Sequence, residues 1–121
     1  MKRKRIGFVF LHSPHGTSIG REGLDIVLAT AAITNEIGLF FIGDGVLQIY
    51  GSHKNNKILT RNYVNSFQIL KIYDIKYIYV CGMSLRERGI AFNTKFLISV
   101  DILSPSDLKI QLHSFEKILT F

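Results

Sequence analysis

Short apolar runs of strand length recur along this chain, and helix-like patterns separate them. A continuous apolar run of this length is typical of a strand covered on both faces, as in a parallel sheet. The alternation favours a mainly parallel sheet of about five strands with helices on both faces. We therefore predict an α/β fold that forms a single domain over residues 1–121. The predicted strands are Ile6–Leu11, Leu39–Ile42, Ile75–Val80, Phe96–Val100 and Ile118–Phe121.

Apolar residues spaced at i, i+3, i+4 and i+7 predict a first helix from about Arg21, with Gly38 at its exit. A second helix is predicted to begin at Thr60, which can cap it, and Ser84–Arg88 can begin a short helix. The last helix has the clearest start signal, because Ser104 can cap it and a proline follows. The apolar faces of the first, second and last helices are Leu24, Val27, Leu28 and Ala31; Tyr63, Phe67 and Leu70; and Leu108, Leu112 and Phe115.

Composition limits the class of protein. With 47% hydrophobic and 20% charged residues, the 121-residue chain has the make-up of one compact globular domain. Its single cysteine cannot form an internal disulfide or a multi-thiolate metal site, and it fits a reducing compartment. No apolar stretch approaches the roughly 20 residues of a membrane span, and Ile6–Leu11 is too short for a signal peptide. We therefore expect a cytoplasmic protein without membrane contact.

The chain is basic, with a formal net charge of +6, and four positive charges lie in Lys2–Arg5. Such a balance is typical of a solubilising terminus, and it also fits contact with nucleic acid or an acidic partner. The sequence leaves the role of Lys2–Arg5 open. The polar segment Gly51–Lys57 is predicted to be a loop.

Polar side chains follow three predicted strands at their carboxyl ends, where ligands bind in open parallel sheets. They are His12, Ser13 and His15 after the first strand, Asp44 after the second and Cys81 after the third. Ser13, His15 and Asp44 could form a hydrolase triad on paper, but the chain lacks a G-x-S-x-G elbow. No two histidines have the i, i+4 spacing of a helical metal site, so we expect no metal.

The glycine-bearing turn Gly16–Gly23 precedes a helix N-terminus, where backbone N–H groups favour anions. It matches neither G-x-G-x-x-G nor G-x-x-x-x-G-K-[ST], and no lysine stands at the P-loop position. A tight strand-to-helix turn is the simpler interpretation, and an anion- or nucleotide-binding module is the alternative. We expect no bound cofactor.

Cys81 allows two interpretations. Free cysteine is among the most buried residue types and usually packs in a core. A cysteine that ends a parallel strand and is followed by Gly82 can instead be exposed in the crevice. If Ser84–Arg88 is helical, its N-terminus and the side chains of Arg86 and Arg88 would favour the thiolate. A thiolate can accept a sulfur atom and pass it on as a persulfide.

Three segments together resemble the TusC subunit family, which is related to DsrF. They are FVFLHSPHGTSIGREGLD (8–25), FFIGDGVLQI (40–49) and YDIKYIYVCGMSLRERGI (73–90). The resemblance extends from Ile6 to Phe121, and its specificity lies in the PHGT…GREGLD and CxxSLRERG blocks taken together. It implies a DsrE-like fold, which is a small α/β sandwich with a parallel sheet.

The resemblance also implies a function. TusC-like chains are subunits of a heterohexameric TusB–TusC–TusD complex that holds two copies of each subunit. The complex belongs to a cytoplasmic sulfur relay, which hands persulfide sulfur to a TusE-like acceptor. The relay serves 2-thiolation of the wobble uridine of tRNA (5-methylaminomethyl-2-thiouridine), so contact with tRNA is indirect.

The role of Cys81 follows from the same resemblance. The sulfur-accepting cysteine of the complex belongs to the TusD-like subunit, and Cys81 looks like its positional counterpart. We therefore expect a structural, non-catalytic subunit of a sulfurtransferase complex. The alternative is an active persulfide carrier through Cys81, in tRNA thiolation or in sulfur oxidation.

Overall fold

A computed structural model describes residues 5–14, 18–50, 70 and 73–121 of the chain. Within these ranges the strands are β1 (Ile6–Phe10), β2 (Ile37–Phe41), β3 (Tyr77–Cys81), β4 (Asp101–Leu103) and β5 (Lys117–Thr120). The helices are α1 (Ile19–Ala31), α2 (Leu47–Tyr50), α3 (Gly82–Glu87) and α4 (Pro105–His113), and a 3-10 turn, Gly43–Val46, leads into α2.

The described strands form one sheet in the order β4-β3-β2-β1-β5, and all neighbours run parallel. Ile6 pairs with Ile37 on one side and with Lys117 on the other, so the first strand of the chain lies beside the last. This architecture confirms the predicted parallel, five-stranded α/β fold. Among the helices of the described ranges, none is long and apolar enough to cross a membrane.

Helices lie on both faces because the chain reverses its direction across the sheet. Strands β1 to β4 follow one another toward one edge, whereas β5 returns to the opposite edge. Right-handed crossovers therefore place α1 and α3 on one face and α4 on the other. Core packing agrees, since Leu24 of α1 and Leu85 of α3 join one buried cluster and Leu108 of α4 joins a second.

Alternate strand residues separate the two clusters, as the pleat of a strand requires. In β2, Leu39 and Phe41 face α1, and Phe40 between them faces α4. All three are fully buried, which explains the continuous apolar run that marks this strand in the sequence. In β3 the same alternation places Tyr79 and Cys81 in the α4 cluster.

The predicted fourth strand, Phe96–Val100, is wrong, because the strand that pairs with β3 is Asp101–Leu103. The predicted segment packs on the core without strand structure, and its central residue, Ile98, is buried. The N–H of Leu97 donates to the carbonyl of Ile49 at 2.9 Å. The apolar run therefore reflects burial of an irregular segment and not strand pairing.

Gly38 does not mark the exit of a helix, which corrects a second prediction. It lies inside β2 opposite Gly7 of β1, while α1 already ends at Ala31. A side chain at position 38 would overlap the ring of Phe115, so close packing requires glycine there. The other four predicted strands overlap the observed ones.

Helix α4 begins as predicted. The hydroxyl oxygen of Ser104 accepts a hydrogen bond from the backbone N–H of Asp107 at 3.2 Å, and Pro105 is the first helical residue. Leu108 is buried on its predicted apolar face, and Phe115 is buried just beyond the end of the helix.

Two further predictions fall on residues that the structure does not describe. The loop Gly51–Lys57 lies wholly outside the described ranges. The helix from Thr60 also lies outside them, apart from Leu70, whose side chain is buried in the core.

Candidate functional site

The topology of the sheet marks one crevice. The connection after β3 leaves through α3 on one face, and the connection after β4 leaves through α4 on the other. Neighbouring parallel strands whose connections part in this way leave a crevice at their carboxyl ends, where ligands bind in open α/β sheets. The crevice between α3 and α4 is therefore the candidate site.

A cavity of about 350 Å³ occupies this crevice, and the first residues of α3 and α4 line it. Apolar side chains form its rim, since Met83 is 55% exposed and Phe92 is 47% exposed. The guanidinium carbon of Arg86 lies 5.7 Å from the centre of the Phe92 ring. Glu87 lines the same cavity, so the crevice holds one positive and one negative charge.

Cys81 ends β3 beside this crevice, but its side chain belongs to the core. It is 5% exposed and packs in the α4 cluster together with Leu108. Helix α3 begins at Gly82, two residues before Ser84, and Cys81 is its N-cap residue without a capping hydrogen bond from the side chain. The thiol therefore offers a reaction partner very little surface.

Arg88, which the sequence places near Cys81, contacts other groups. Its Nε and Nη2 donate to the same carboxylate oxygen of Asp44, at 3.1 and 2.8 Å. Its Nη1 donates to the carbonyl of Ser84 at 3.0 Å, and the hydroxyl oxygen of Ser84 accepts the N–H of Gly43 at 2.9 Å. These bonds hold the turn after β2 against α3.

Gln48 is a buried polar residue that sequence reasoning missed. It is 2% exposed, and its Nε2 donates to the carbonyl of His12 at 3.0 Å. Its Oε1 is buried and has no hydrogen-bond partner among the described residues, a situation that costs about 1 to 3 kcal/mol. A glutamine inside the apolar piece Val46–Tyr50 was the available signal. In the structure it joins α2 to the loop after β1, and its amide packs against Gly20 of α1.

The other residues of the predicted rim have separate surroundings. His12 is exposed and contributes its backbone carbonyl to Gln48, and Ser13 is half-buried. The carboxylate of Asp44 is held by Arg88. His15 lies outside the described residues. Across the described part of the chain, no three metal-binding side chains come together.

Two glycines of the predicted turn lie inside α1 and serve packing. A side chain at Gly20 would overlap the amide of Gln48. A side chain at Gly23 would come within 2.8 Å of the rings of Phe10 and Phe121. Close packing therefore explains why glycine stands at both positions, and no bound anion is needed for it. Gly16 lies outside the described residues.

A single parallel sheet, helices on both faces and a crevice at the carboxyl ends of β3 and β4 define a small parallel α/β sandwich protein. A family model described as the DsrE/DsrF-like family matches residues 4–121. The chain therefore belongs to the DsrE/DsrF-like family.

Two curated relatives, each called "Protein TusC", match nearly the whole chain. The protein from Buchnera aphidicola subsp. Schizaphis graminum is 49% identical over 118 residues, which are 98% of this chain and 99% of that protein. The protein from Klebsiella pneumoniae (strain 342) is 45% identical with the same coverage. These matches confirm the resemblance to TusC proteins that the three sequence segments indicate.

The crystal structure of the ychN protein from E. coli has the same fold. It superposes with a TM-score of 0.80 and covers 98% of this chain and 100% of that one. The two sequences are 21% identical, so this likeness concerns the fold alone.

Proposed function

We propose that this chain is a TusC-like subunit of a heterohexameric TusB–TusC–TusD complex in a sulfur relay. The observation that carries the proposal is the match to proteins called TusC over 98% of the chain. In this proposal the complex works in the cytoplasm and passes sulfur to a TusE-like acceptor. The relay serves 2-thiolation of the wobble uridine of tRNA, which this chain contacts only indirectly.

Within the complex, the chain acts as a structural subunit and not as a sulfur carrier. In persulfide transfer, an acceptor thiolate attacks the outer sulfur, the S–S bond breaks and the donor cysteine leaves as a thiolate. Cys81 is 5% exposed among apolar side chains, so a donor would first have to displace the packing around Leu108. This burial supports a packing role for Cys81.

The test uses cells from which the gene for this chain has been deleted. The amount of 2-thiouridine in total tRNA is measured by mass spectrometry of nucleosides. We expect the deletion to remove wobble thiolation and a Cys81→Ser chain to restore it to near the wild-type level. The matched control replaces the cysteine of the TusD-like subunit by serine, which should abolish thiolation.

Two other outcomes would each contradict one part of the proposal. Normal thiolation in the deletion strain would show that the chain does not serve this relay. Loss of thiolation with Cys81→Ser, at normal protein level and normal complex assembly, would make the chain an active persulfide carrier.

A further inference from the structure

The edge of the sheet at β5 has backbone groups that lack a pairing strand. In the order of the described strands, β5 is the last on its side and pairs only with β1. The N–H of Phe121 donates to the carbonyl of Val9 at 2.8 Å, and the carbonyl of Phe121 accepts the N–H of Leu11 at 2.7 Å. Backbone groups of successive strand residues point to opposite sides, so those of Ile118 and Thr120 point away from β1. They have no backbone partner within the described ranges.

Exposed apolar side chains flank this edge on the α4 face of the sheet. A Cβ at Gly7, beside Phe115, would come within 2.8 Å of the Ile118 side chain, which places Ile118 on this face. Leu11 lies on the same face, because it follows Val9 of the α4 cluster by two residues. The side chains of Ile118 and Leu11 are each 39% exposed.

The α1 face offers apolar surface at the same edge. A Cβ at Gly23 would come within 2.8 Å of the Phe121 ring, so Gly23 marks the side of α1 that faces the β5 edge. Ile19 precedes Gly23 by four residues and Ile26 follows it by three, so both lie on the same side of the helix. They are 37% and 42% exposed. Apolar surface therefore lies on both faces beside the unpaired backbone groups.

These features together fit an extended polypeptide. Only another backbone in strand form pairs with the N–H and C=O groups of Ile118 and Thr120 at once. A helix would cover one face and leave these groups unpaired, and nucleic acid would meet no charge along residues 118–120. Native sheets commonly protect a free edge with charge or proline, as β4 does with Asp101. Residues 118–120 contain neither.

A second copy of this chain fits the edge less well than a different chain does. Helix α1 packs on β1, and two copies joined through β5 would hold their β1 strands about 14 Å apart, at about 4.8 Å per strand. Packed helices lie about 8 to 10 Å apart, so the two α1 helices would not meet and Ile19 and Ile26 would stay uncovered. The second β5 would also bring the charged side chain of Lys117 to this face.

We infer that the β5 edge binds an extended, uncharged and apolar segment of a different polypeptide as a sixth strand of the sheet. The backbone groups of Ile118 and Thr120 pair with this segment. Its side chains alternate between the two faces, so one set packs on Leu11 and the other on Ile19 and Ile26.

The inference goes beyond the proposed function, which leaves open how partner chains are held. It rests on that function only in that the complex would supply the partner. Hydrogen exchange and tRNA thiolation are measured separately. Unprotected edge amides in a particle that supports thiolation would overturn this inference alone, whereas normal thiolation in the deletion strain would overturn the proposed function alone.

The first test is hydrogen exchange at single-residue resolution, in the particle purified under native conditions from cells that produce the full chain. The amide of Leu119 points toward β1 and provides the internal reference. We expect the amides of Ile118 and Thr120 to be protected to within about tenfold of Leu119, because a sixth strand pairs them. Fast exchange at both amides overturns the inference, as does a particle that native mass spectrometry shows to contain this chain only.

The second test separates strand pairing from side-chain contact. Thr120→Pro removes the outward N–H but no bond to β1, so the chain should still fold, and circular dichroism checks this. Thr120→Ala is the matched control, because it removes the side chain and keeps the N–H. Native mass spectrometry should show at least about tenfold less of one partner with Thr120→Pro and the wild-type amount with Thr120→Ala. A folded Thr120→Pro particle that keeps every partner, or equal losses in both variants, would contradict pairing at this edge.

Discussion

At the scale of single residues, Tyr79 shows how a polar group is held in the core. Its ring lies 5.3 Å from the ring of Phe40, centre to centre, and its hydroxyl donates to Oε1 of Gln111 at 3.3 Å. Burial, and next the nearby carboxylate of Asp101, raise the pKa of Tyr79 above its ordinary value of 10.0. Both causes disfavour the phenolate in the folded protein.

Tyr79→Phe should therefore lower stability in a pH-dependent way. Below pH 10 the variant loses one hydrogen bond, which is worth about 1 kcal/mol of unfolding free energy. As the pH rises through the folded-state pKa, unfolded wild-type chains lose this proton before folded ones do, so this contribution to wild-type stability disappears. Urea denaturation from mildly to strongly alkaline pH should show the two proteins converging.

The exposed residue Tyr73 provides the control for this comparison. Tyr73→Phe removes a hydroxyl at the surface, so its unfolding free energy should follow that of the wild type at every pH. A Tyr79→Phe difference that stays constant or widens with rising pH would contradict the role assigned to Tyr79.

The local sequence predicted the position of Cys81 at the end of a strand but not the exposure of its side chain. The position at the end of a strand, followed by glycine, follows from the apolar run and is observed. Whether the thiol faces the crevice or the core depends on how α4 covers the sheet, and that depends on the return of the chain to β5. Pairing of Asp44 with Arg88 is likewise a contact across 44 positions, which local patterns do not encode.

At the scale of elements, α3 depends on its neighbours because it is short. A helix of only Gly82–Glu87 is not stable by itself, since helices this short are marginal without tertiary contacts. Arg88 supplies such contacts by joining the carboxylate of Asp44 to the carbonyl of Ser84. The turn after β2 and the helix after β3 are thereby fixed to each other.

Variants of Asp44 and Arg88 should differ in how far they lower the unfolding free energy. Asp44→Ala removes a largely exposed ion pair and should lower the unfolding free energy by less than about 1 kcal/mol. Arg88→Ala also leaves the carbonyl of Ser84 without this donor, so we expect a loss of about 1 to 2 kcal/mol. Urea denaturation of both single variants and of the double variant measures their coupling, which should be about 0.5 kcal/mol.

Arg88→Lys is the informative conservative change. Lysine keeps the charge but lacks the planar fork of donors that reaches Asp44 and Ser84 together, so it should restore only a small part of the loss. Full rescue by lysine would mean that charge alone matters at this position. Lys95→Ala, at an exposed site, should leave the unfolding free energy unchanged.

The sequence predicts a strand correctly where the apolar run and the residues that pair in the sheet are the same. In β4 they are different residues. Strands β1 and β2 are covered on both faces, so burial and strand pairing mark the same residues. The segment 96–100 is apolar because it packs on the core, while the strand itself, Asp101–Leu103, is partly exposed at the edge of the sheet. An apolar run therefore indicates buried side chains. Only the observed pairing with β3 shows which residues form the strand.

At the scale of the whole molecule, Phe115 joins the ends of the chain. Its ring lies edge-on to Phe40 at 5.3 Å between ring centres and fills the space above Gly38. The guanidinium carbon of Arg5 lies 4.3 Å from the centre of the same ring. The next strand, β5, then pairs with β1, so this contact helps to place the last strand beside the first.

Phe115→Ala should accordingly destabilise the entire fold. Truncation of a buried phenylalanine leaves a cavity and costs about 3 to 5 kcal/mol. Urea denaturation should show this loss as one cooperative transition shifted to lower denaturant, because β5 cannot be loosened without exposing β1. The exposed residue Ile110 offers a control, since Ile110→Ala should change the unfolding free energy by less than about 0.5 kcal/mol.

The variant Gly38→Ala tests whether Phe115 stabilises the fold through its contact with Gly38. In the wild type, the added methyl group would overlap the Phe115 ring and should destabilise the protein. In the Phe115→Ala background the same methyl enters the cavity, so its cost should fall. The double-mutant cycle should give a favourable coupling of about 1 kcal/mol or more. Additive effects would mean that Phe115 stabilises β5 by some route other than packing over Gly38.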